Sequence, residues 1–311
     1  IPGVGAADAP VQAASIDAAV AQDSLLGEVR EAMRRSTQFL QSISTHGGYA
    51  GIYSEDLSAR YGEAEYDSAA SAEIWIQPPG TPTVGESFLR AYRITGVQVY
   101  LDAARKSGRS LAWGQHDTGG WAHTADLSHV EDPDGPIGHQ AGGGTFDDET
   151  TQGALIFLRE LDREIDEPWL TETIERGLQF LLDSQFENGA WPQWYPLDGG
   201  YSDYYTFNDN AINDCIRVML KAHAIYGDER YLESARSGGD FIVHSQLAGP
   251  QAGWAQQYNH EGEPAWARSF EPPGVCSAVT ARNIRTLTQL YLYAGDRRYL
   301  RPIPAAISWL E

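Results

Sequence analysis

A short glycine-aromatic signal recurs four times along the chain, at intervals of 72, 70 and 63 residues between the aromatic residues. Self-similarity at a nearly constant interval indicates a repeat architecture, in which each unit covers the apolar face of its neighbour. The chain is therefore expected to consist of one structural unit used several times. The four aromatic residues are Tyr49, Trp121, Trp191 and Trp254.

Each unit is predicted to be a helical hairpin. Residues 169–185, which end just before one signal, carry apolar residues at helical spacing, including Leu170, Ile174 and Leu178. A second helical segment belongs to each unit, and a short turn such as residues 227–229 joins the two helices. Alternating apolar and polar runs bounded by hairpin turns, which would predict strands, are scarce.

Repeated helical hairpins arranged round an axis form an all-α fold, the α/α toroid. Short and long connections alternate along the chain, so the long loops are expected at one end, where they form a cleft. We assign residues 24–311 to a single toroid domain and residues 1–23 to an extended N-terminal segment. The last hairpin stops where another signal should begin, so we expect a truncated chain or a capping unit.

The charge of the chain excludes some classes of partner. The formal net charge is −21, and only two of the 22 basic residues are lysines, which argues against a nucleic acid ligand. An acidic polymer would need a cation between itself and the protein. No run approaches the roughly 18 consecutive apolar residues that insertion into a membrane requires.

The start of the chain bears on its location. It begins at Ile1 rather than at Met, and the opening segment is rich in Ala, Pro and other small residues. Such a segment often follows a removed export signal, so a secreted or periplasmic protein is expected. Other trimming of the chain would explain this start equally well.

Polar clusters occupy equivalent places in the repeats, before one helix of each hairpin, and are expected to converge in space; they lie at residues 75–79, 146–149, 207–210 and 268–273. In two of them, the polar residues 147–149 and 208–210 directly precede neighbouring predicted helices. Side chains at such positions often cap the exposed N–H groups at the start of a helix. Two clusters at matching places in adjacent units also suit Ca²⁺, which accepts several carboxylate and carbonyl oxygens in irregular geometry. Both interpretations remain open from the residues alone.

The loop of residues 186–212 is too long and too rich in aromatic residues to be a simple connection. We interpret it as an ordered wall of the cleft. Its aromatic residues lie among Gly and Pro, which suits platforms for stacking sugars better than core packing, although Trp191 in particular is expected to pack inward. The candidate substrate-binding residues in this loop are Trp191, Trp194, Tyr195, Tyr205 and Asn208.

Arg268 lies in a Pro-rich loop, and Arg282 and Arg285 follow in the next predicted helix. Each is expected either in an ion pair within the protein or, at the mouth of the cleft, as a bidentate partner for a substrate carboxylate. The histidines show no metal-binding spacing, and no G-x-S-x-G motif supports a serine nucleophile. Cys215 and Cys276 lack metal or redox spacing and are either paired or free.

Three separated motifs, GAWPQWYP, YSDYYTFNDNAI and ARSFEPP, occur in this order. Through them, the chain from about residue 146 to its end resembles the pectic acid lyases of polysaccharide lyase family 10, whereas the earlier part shares only the helical hairpins and GGWAH. The resemblance implies an α/α toroid-like fold and cleavage of polygalacturonate by Ca²⁺-assisted β-elimination. It also implies Ca²⁺ as the cofactor and an acidic polysaccharide as the substrate.

The resemblance places the family's functional residues on particular positions of this chain. Two aspartates fall on Asp147 and Asp209, at the site for Ca²⁺ or the substrate carboxylate. The catalytic base falls on Arg268, and Arg285 would bind a uronate carboxylate. β-Elimination removes the C5 proton of a uronate, and a cation on the carboxylate stabilises the transition state. An arginine base would need its pKa lowered from above about 12 by a nearby cation and a dry site.

The chain departs from the family pattern at three places. Asp148 and Glu149 add two charges after Asp147, His123 stands where many members have a lysine, and the family's C-terminal segment is missing after Glu311. These departures point to an altered uronate specificity or to lost activity. One alternative is therefore a glycan-binding or structural protein that retains the fold. Another is a glycoside hydrolase on the same kind of toroid, with Asp148 or Glu149 as its carboxyl groups.

Overall fold

The computed structural model describes residues 9–62 and 69–311, and for residues 9–23 it describes the backbone alone. Nine α-helices lie in this part of the chain, together with short strands and 3₁₀ turns. The helices are α1 (Ala9–Ile43), α2 (Thr81–Thr95), α3 (Gln98–Gly114), α4 (Thr150–Asp162), α5 (Pro168–Asp183), α6 (Ala211–Tyr226), α7 (Glu229–His244), α8 (Ser277–Ala294) and α9 (Ile303–Leu310).

The helices form successive hairpins, α2 with α3, α4 with α5, and α6 with α7. Within this series α2 packs against α4, α4 against α6, and α6 against α8. We call these four the inner helices, and α3, α5 and α7 the outer helices. The buried apolar side chains form one continuous cluster. The structure thus confirms the predicted all-α toroid of helical hairpins.

The short connections between paired helices share one geometry. Gly96, Gly227 and Gly295 follow inner helices and have φ values of 68°, 68° and 72°. Each donates its N–H to a carbonyl four residues earlier, in the last turn of the helix. A residue without a Cβ adopts this left-handed conformation at little cost. The turn predicted at residues 227–229 is confirmed.

The tryptophan of each later glycine-aromatic signal is a structural residue. All three indole rings are fully buried, and each donates its N–H to a carbonyl near the end of the preceding outer helix. A buried indole N–H needs such an acceptor. The three hydrogen bonds run from Trp121 to Leu111 at 2.8 Å, from Trp191 to Leu181 at 2.8 Å, and from Trp254 to Ile242 at 2.7 Å.

A glutamine at the end of each outer helix ties one unit to the next. Gln115 donates its amide N–H groups to the carbonyls of Gly119 in its own loop and of Thr173 in α5, both at 2.9 Å. Gln185 repeats this arrangement with its own loop and with α7. The repeat therefore fixes the position of each hairpin relative to its neighbour.

Within residues 9–62 and 69–311, eight short strands form four antiparallel pairs, which the sequence did not predict. Three of the pairs join the segment before an inner helix to the loop that follows an outer helix, and so hold the polar clusters at the ends of the inner helices. Runs of two or three residues are too short to show strand periodicity. The pairs are β1 (Ile52–Tyr53) with β2 (Arg60–Tyr61), β3 (Glu73–Trp75) with β4 (Thr124–Asp126), β5 (Gly144–Thr145) with β6 (Trp194–Tyr195), and β7 (Tyr205–Thr206) with β8 (Gln257–Tyr258).

The N-terminal segment differs from its prediction. Residues 9–23, which we placed in an extended segment, are helical because α1 begins at Ala9, while residues 1–8 lie outside the described residues. The division into this segment and a single domain stays a prediction. Cys215 and Cys276 are both free. Among the described residues, no helix combines the length and the apolar character needed to cross a membrane.

Candidate functional site

Two 3₁₀ turns of the same shape precede the inner helices α4 and α6, at Asp147–Glu149 and Asn208–Asn210. Asp148 and Glu149 have φ values of 47° and 60°, and Asp209 and Asn210 have 46° and 65°. Two consecutive left-handed residues other than glycine are energetically costly, and such conformations concentrate at functional sites. The helix-capping interpretation is wrong for the residue directly before each helix, because neither forms a side-chain capping hydrogen bond.

Three aspartates come together at these turns. Asp147, Asp148 and Asp209 are half-buried. One carboxylate oxygen from each lies within 4.8 Å of the other two. The structure thus brings together Asp147 and Asp209, the two residues predicted for the metal. It adds Asp148, which the sequence analysis treated as a departure from the family pattern. The three carboxylates could hold a metal ion.

The two turns and the segment before α2 occupy equivalent places in the repeat, and so do their first polar residues. The N–H of the residue before each of them donates to the carbonyl of the second residue after the signal tryptophan. These backbone hydrogen bonds run from Ile76 to His123 at 2.7 Å, from Phe146 to Gln193 at 2.9 Å, and from Phe207 to Gln256 at 2.8 Å. The equivalent first residues are therefore Gln77, Asp147 and Asn208.

Each of these equivalent residues pairs with a carboxylate of the next unit, and we call these contacts the inter-turn pairs. Gln77 donates its Nε2–H to Asp148 Oδ2 at 2.9 Å, and Asn208 donates its Nδ2–H to Glu271 Oε1 at 3.3 Å. In the middle pair, Asp147 lies against Asp209. Two ionised carboxylates have no hydrogen to share. The middle pair therefore requires a proton or a cation, whereas its neighbours do not.

The surroundings of Asp147 give the same indication. Burial raises the pKa of its carboxyl to about 7, and the charges of Asp148 and Asp209 act in the same direction, while Gln193 opposes them by hydrogen bonding. Asp147 Oδ1 is buried and has no hydrogen-bond partner. An unsatisfied carboxylate oxygen beside two further carboxylates fits a hard cation such as Ca²⁺, which prefers oxygen ligands.

Arg268 is held in an ion pair with the buried carboxylate of Glu271. Its Nε and Nη2 donate to the two carboxylate oxygens, both at 2.8 Å, and its backbone N–H donates to Oε2 at 3.0 Å. These hydrogen bonds raise the pKa of Arg268 above its usual range and lower the pKa of Glu271. Arg268 is thus a cation in this arrangement. Its role as the base stays a prediction that requires release from Glu271.

The prediction of substrate binding is wrong for two of the aromatic residues. Trp191 is fully buried, so its ring cannot stack on a sugar. Tyr205 is also buried, and its ring packs edge-on against Phe186 and Phe241. Trp194 and Tyr195 form β6 and are partly exposed. Binding by these two residues stays a prediction.

The remaining predicted residues have different surroundings. Asn208 lies at the site as a member of an inter-turn pair. Arg285 is exposed on α8, and no ion pair joins it to another described residue. Glu149 forms an ion pair with Arg217, which also lies 3.1 Å from Asp214. The roles of Asn208 and Arg285 in substrate binding stay predictions.

Gln77, Glu271 and Asp148 were not predicted as site residues, although the polar clusters that contain them were expected to converge. Gln77 had a usable signal, because Ile76-Gln77 stands where Phe146-Asp147 stands in the next unit. Glu271 lies in the equivalent cluster of the last unit, but its contacts with Asn208 and Arg268 depend on the path of an irregular loop.

A family model described as pectic acid lyase matches residues 115–311. No curated protein matches the chain. The family match covers the two turns, the aspartate group and the Arg268 loop.

The chain is also similar to solved structures. One is a family 10 polysaccharide lyase from Cellvibrio cellulosa, with 23% identity, 73% of this chain and 71% of that chain covered, and a TM-score of 0.55. A variant of it, in complex with trigalacturonic acid, matches with the same values. A GH76 α-mannanase from Bacteroides thetaiotaomicron has 12% identity, with 82% of this chain and 62% of that chain covered and a TM-score of 0.54. At these identities the likeness shows the fold alone.

Proposed function

Because the chain belongs to the pectic acid lyase family, we propose that it cleaves polygalacturonate or a related uronate polymer by Ca²⁺-assisted β-elimination. The observation that carries the proposal is the middle inter-turn pair, in which Asp147 and Asp209 lie together within a group of three carboxylates. Binding of trigalacturonic acid by the Cellvibrio cellulosa lyase supports an acidic polysaccharide as the substrate.

In this proposal Asp147, Asp148 and Asp209 hold the metal ion. The unpartnered Oδ1 of Asp147 supports this assignment, since it leaves an oxygen free for a ligand. The chemistry supplied by a bound cation is neutralisation of the substrate carboxylate, which makes the C5 proton of the uronate more acidic. A cation between protein and polymer also explains how a chain with a net charge of −21 accepts an acidic substrate.

Arg268 has the proposed role of taking the C5 proton. The electron pair of the C5–H bond then forms the double bond between C4 and C5, while the C4–O bond breaks and the departing sugar oxygen takes a proton from water. Glu271 orients the guanidinium by accepting its hydrogen bonds. The ring of Phe270 lies beside the guanidinium, whose carbon is 4.8 Å from the ring centroid. Arg268 must exchange Glu271 for the substrate before it can lose a proton, because the ion pair favours the charged form. In the same proposal Arg285 binds a second uronate carboxylate, and the protein is secreted to reach the polymer.

The proposal is tested by following the ultraviolet absorbance of unsaturated product from polygalacturonate, with Ca²⁺ and with chelator. The absorbance should rise only with Ca²⁺, and Arg268→Ala and Asp147→Asn should abolish the rise. Exposed Glu131, remote in sequence from both turns, supplies a control variant, Glu131→Gln, that should behave as the parent. New reducing ends without unsaturation would instead identify a hydrolase, and binding without any product would identify a glycan-binding protein.

A further inference from the structure

Exposed aromatic side chains are concentrated beside Arg268. Trp266 is 55% exposed and Phe270 is 71% exposed, although both belong to a short ordered loop. Exposed apolar side chains that lie together, unlike single ones, indicate a binding surface. The aromatic side chains that are exposed in residues 24–62 and 69–311 are Phe39, Tyr201, Tyr226, Trp266, Phe270 and Tyr293.

One buried side chain connects two of the loops that carry these rings. Gln257 donates its Nε2–H groups to the carbonyl of Tyr201 at 3.4 Å and to the carbonyl of Trp266 at 3.3 Å. Tyr201 belongs to the long loop before α6, whereas Trp266 belongs to the loop before α8. The two rings therefore sit on loops of adjacent units that are fixed to each other.

Phe270 connects this group to Arg268. The guanidinium carbon of Arg268 lies 4.8 Å from the centroid of the Phe270 ring, a distance typical of a cation–π contact. Glu271 occupies one edge of the guanidinium, whereas Nη1 forms no hydrogen bond with any described residue. Arg268 thus retains a donor for an acceptor that comes from outside the protein.

We propose that Tyr201, Trp266 and Phe270 form a platform for a sugar of the same uronate polymer, next to the sugar that the aspartate group binds. The inference rests on the proposed function and names residues that bind the chain beyond the reacting sugar. Aromatic rings stack against the C–H faces of a sugar, and this is the contact that Tyr201, Trp266 and Phe270 offer. A polysaccharide with carboxylates suits this surface, because the apolar rings lie next to the proposed cation site.

The platform adjoins the aspartate group through a short chain of contacts. Asn208 precedes Asp209 and donates to Glu271, and Glu271 in turn holds Arg268. Gln256 Nε2 donates to Asn208 Oδ1 at 3.2 Å and so fixes the amide that begins this chain. These contacts, and the charge of Asp147 that acts on Arg268, place Arg268 close to the aspartate group.

The test compares Trp266→Ala, Trp266→Phe and Phe39→Ala. Phe39 is 50% exposed on α1 and provides a matched loss of an exposed ring in another part of the chain. Trp266 is the most exposed of the nine tryptophans, but Trp75, Trp169, Trp194 and Trp309 are partly exposed, so the signal of Trp266 is the part of the acrylamide quenching of tryptophan fluorescence that is lost in Trp266→Phe. Hexagalacturonate with Ca²⁺ is added, and the fluorescence is read before product accumulates.

We expect the oligosaccharide to protect Trp266 from acrylamide. Trp266→Ala should weaken binding and raise KM by about tenfold with little change in kcat, since the ring is worth roughly this factor. Trp266→Phe should retain most of the affinity, and Phe39→Ala should behave as the parent.

Equal affinity of Trp266→Ala and the parent would overturn the platform. So would an oligomer that dissociates in Trp266→Ala with its affinity for the sugar unchanged, because the rings would then bind a protein. Failure of the proposed function gives a different result. If no unsaturated product forms but Trp266→Ala loses binding, the platform is supported and the lyase proposal is wrong.

Discussion

A carboxylate oxygen of Asp147 lies within 4.8 Å of one from Asp209, at a position where both neighbouring inter-turn pairs place an amide against a carboxylate. The equivalent backbone position therefore carries a neutral amide donor in two of the pairs and a carboxylate in the third. This one exchange of an amide for an acid makes the middle pair dependent on a cation or a proton.

Asp147→Asn should convert the middle pair into the kind found on either side of it. We expect at least a tenfold loss of Ca²⁺ affinity, measured by calorimetry, because one of three carboxylates is removed. The metal-free variant should melt a few degrees higher than the parent, since an amide–carboxylate bond replaces a repulsive contact. Glu131→Gln, which changes the charge equally, should alter neither quantity. A lower melting temperature for Asp147→Asn would contradict this account.

Ca²⁺ binding should depend on pH because the pKa of Asp147 is raised to about 7. The ion requires the ionised carboxylate, so its dissociation constant should rise about tenfold for each pH unit below 7. The stability of the metal-free protein should depend on pH in the opposite direction to Ca²⁺ affinity. Between an unfolded-state pKa of about 3.9 and the folded value, only the folded chain keeps this proton, so the free energy of unfolding should fall as pH rises through that window.

The parent and Asp147→Asn should be compared over the same pH range to isolate this group. The comparison is needed because burial also raises the pKa of Asp214, to about 6. The difference between the two free energies of unfolding should grow from pH 4 to pH 7 and then level off. A constant difference would show that Asp147 titrates normally.

Glu271→Gln should move the pH dependence of the reaction. Loss of the carboxylate weakens the hydrogen bonds that keep Arg268 charged, so the pKa of Arg268 should fall. If Arg268 is the base, the rising limb of kcat/KM against pH should shift by about one unit to lower pH. Glu271→Ala is less suitable, because it also leaves Asn208 without its acceptor. An unchanged profile with unchanged product would remove Arg268 from the role of base.

Trp191→Ala should destabilise the fold without acting on the substrate. Truncation of a fully buried tryptophan typically costs about 3–5 kcal/mol of unfolding free energy. Trp254→Ala, at the equivalent place in the next unit, should lose a similar amount in chemical denaturation. The partly exposed Trp194 should tolerate alanine with a much smaller loss. A raised KM for the folded fraction of Trp191→Ala would return this residue to the binding site.

The helices and their order were predictable from the sequence because 3.6-residue periodicity and glycine turns are local signals. Gly227, for example, ends α6 at the expected place. The burial of Trp191 was partly anticipated, because the same glycine-aromatic signal recurs in units whose tryptophans were not predicted to bind substrate. The short strands escaped prediction because β5 and β6 each contain only two residues.

The composition of the site was less predictable. Asp147 and Asp209 were found through the matching places of their clusters in adjacent units and through the family motifs, but nothing local indicates that Asp148 joins them. Its backbone has a positive φ of 47°, which an aspartate adopts at a cost that the surrounding packing must offset. The ion pair of Arg268 with Glu271 was equally hidden, because three residues of irregular loop have no fixed relative orientation in a sequence.

The glutamines that tie successive hairpins together give the inter-turn pairs a modular character. Gln115 and Gln185 contact backbone carbonyls, so the spacing between neighbouring turns does not depend on the side chains that the turns display. Asparagine and aspartate have nearly the same size. A single change such as Asn208→Asp would therefore place a second acidic pair beside the first, and toroids of this kind could alter the number of ions they carry while leaving their architecture intact.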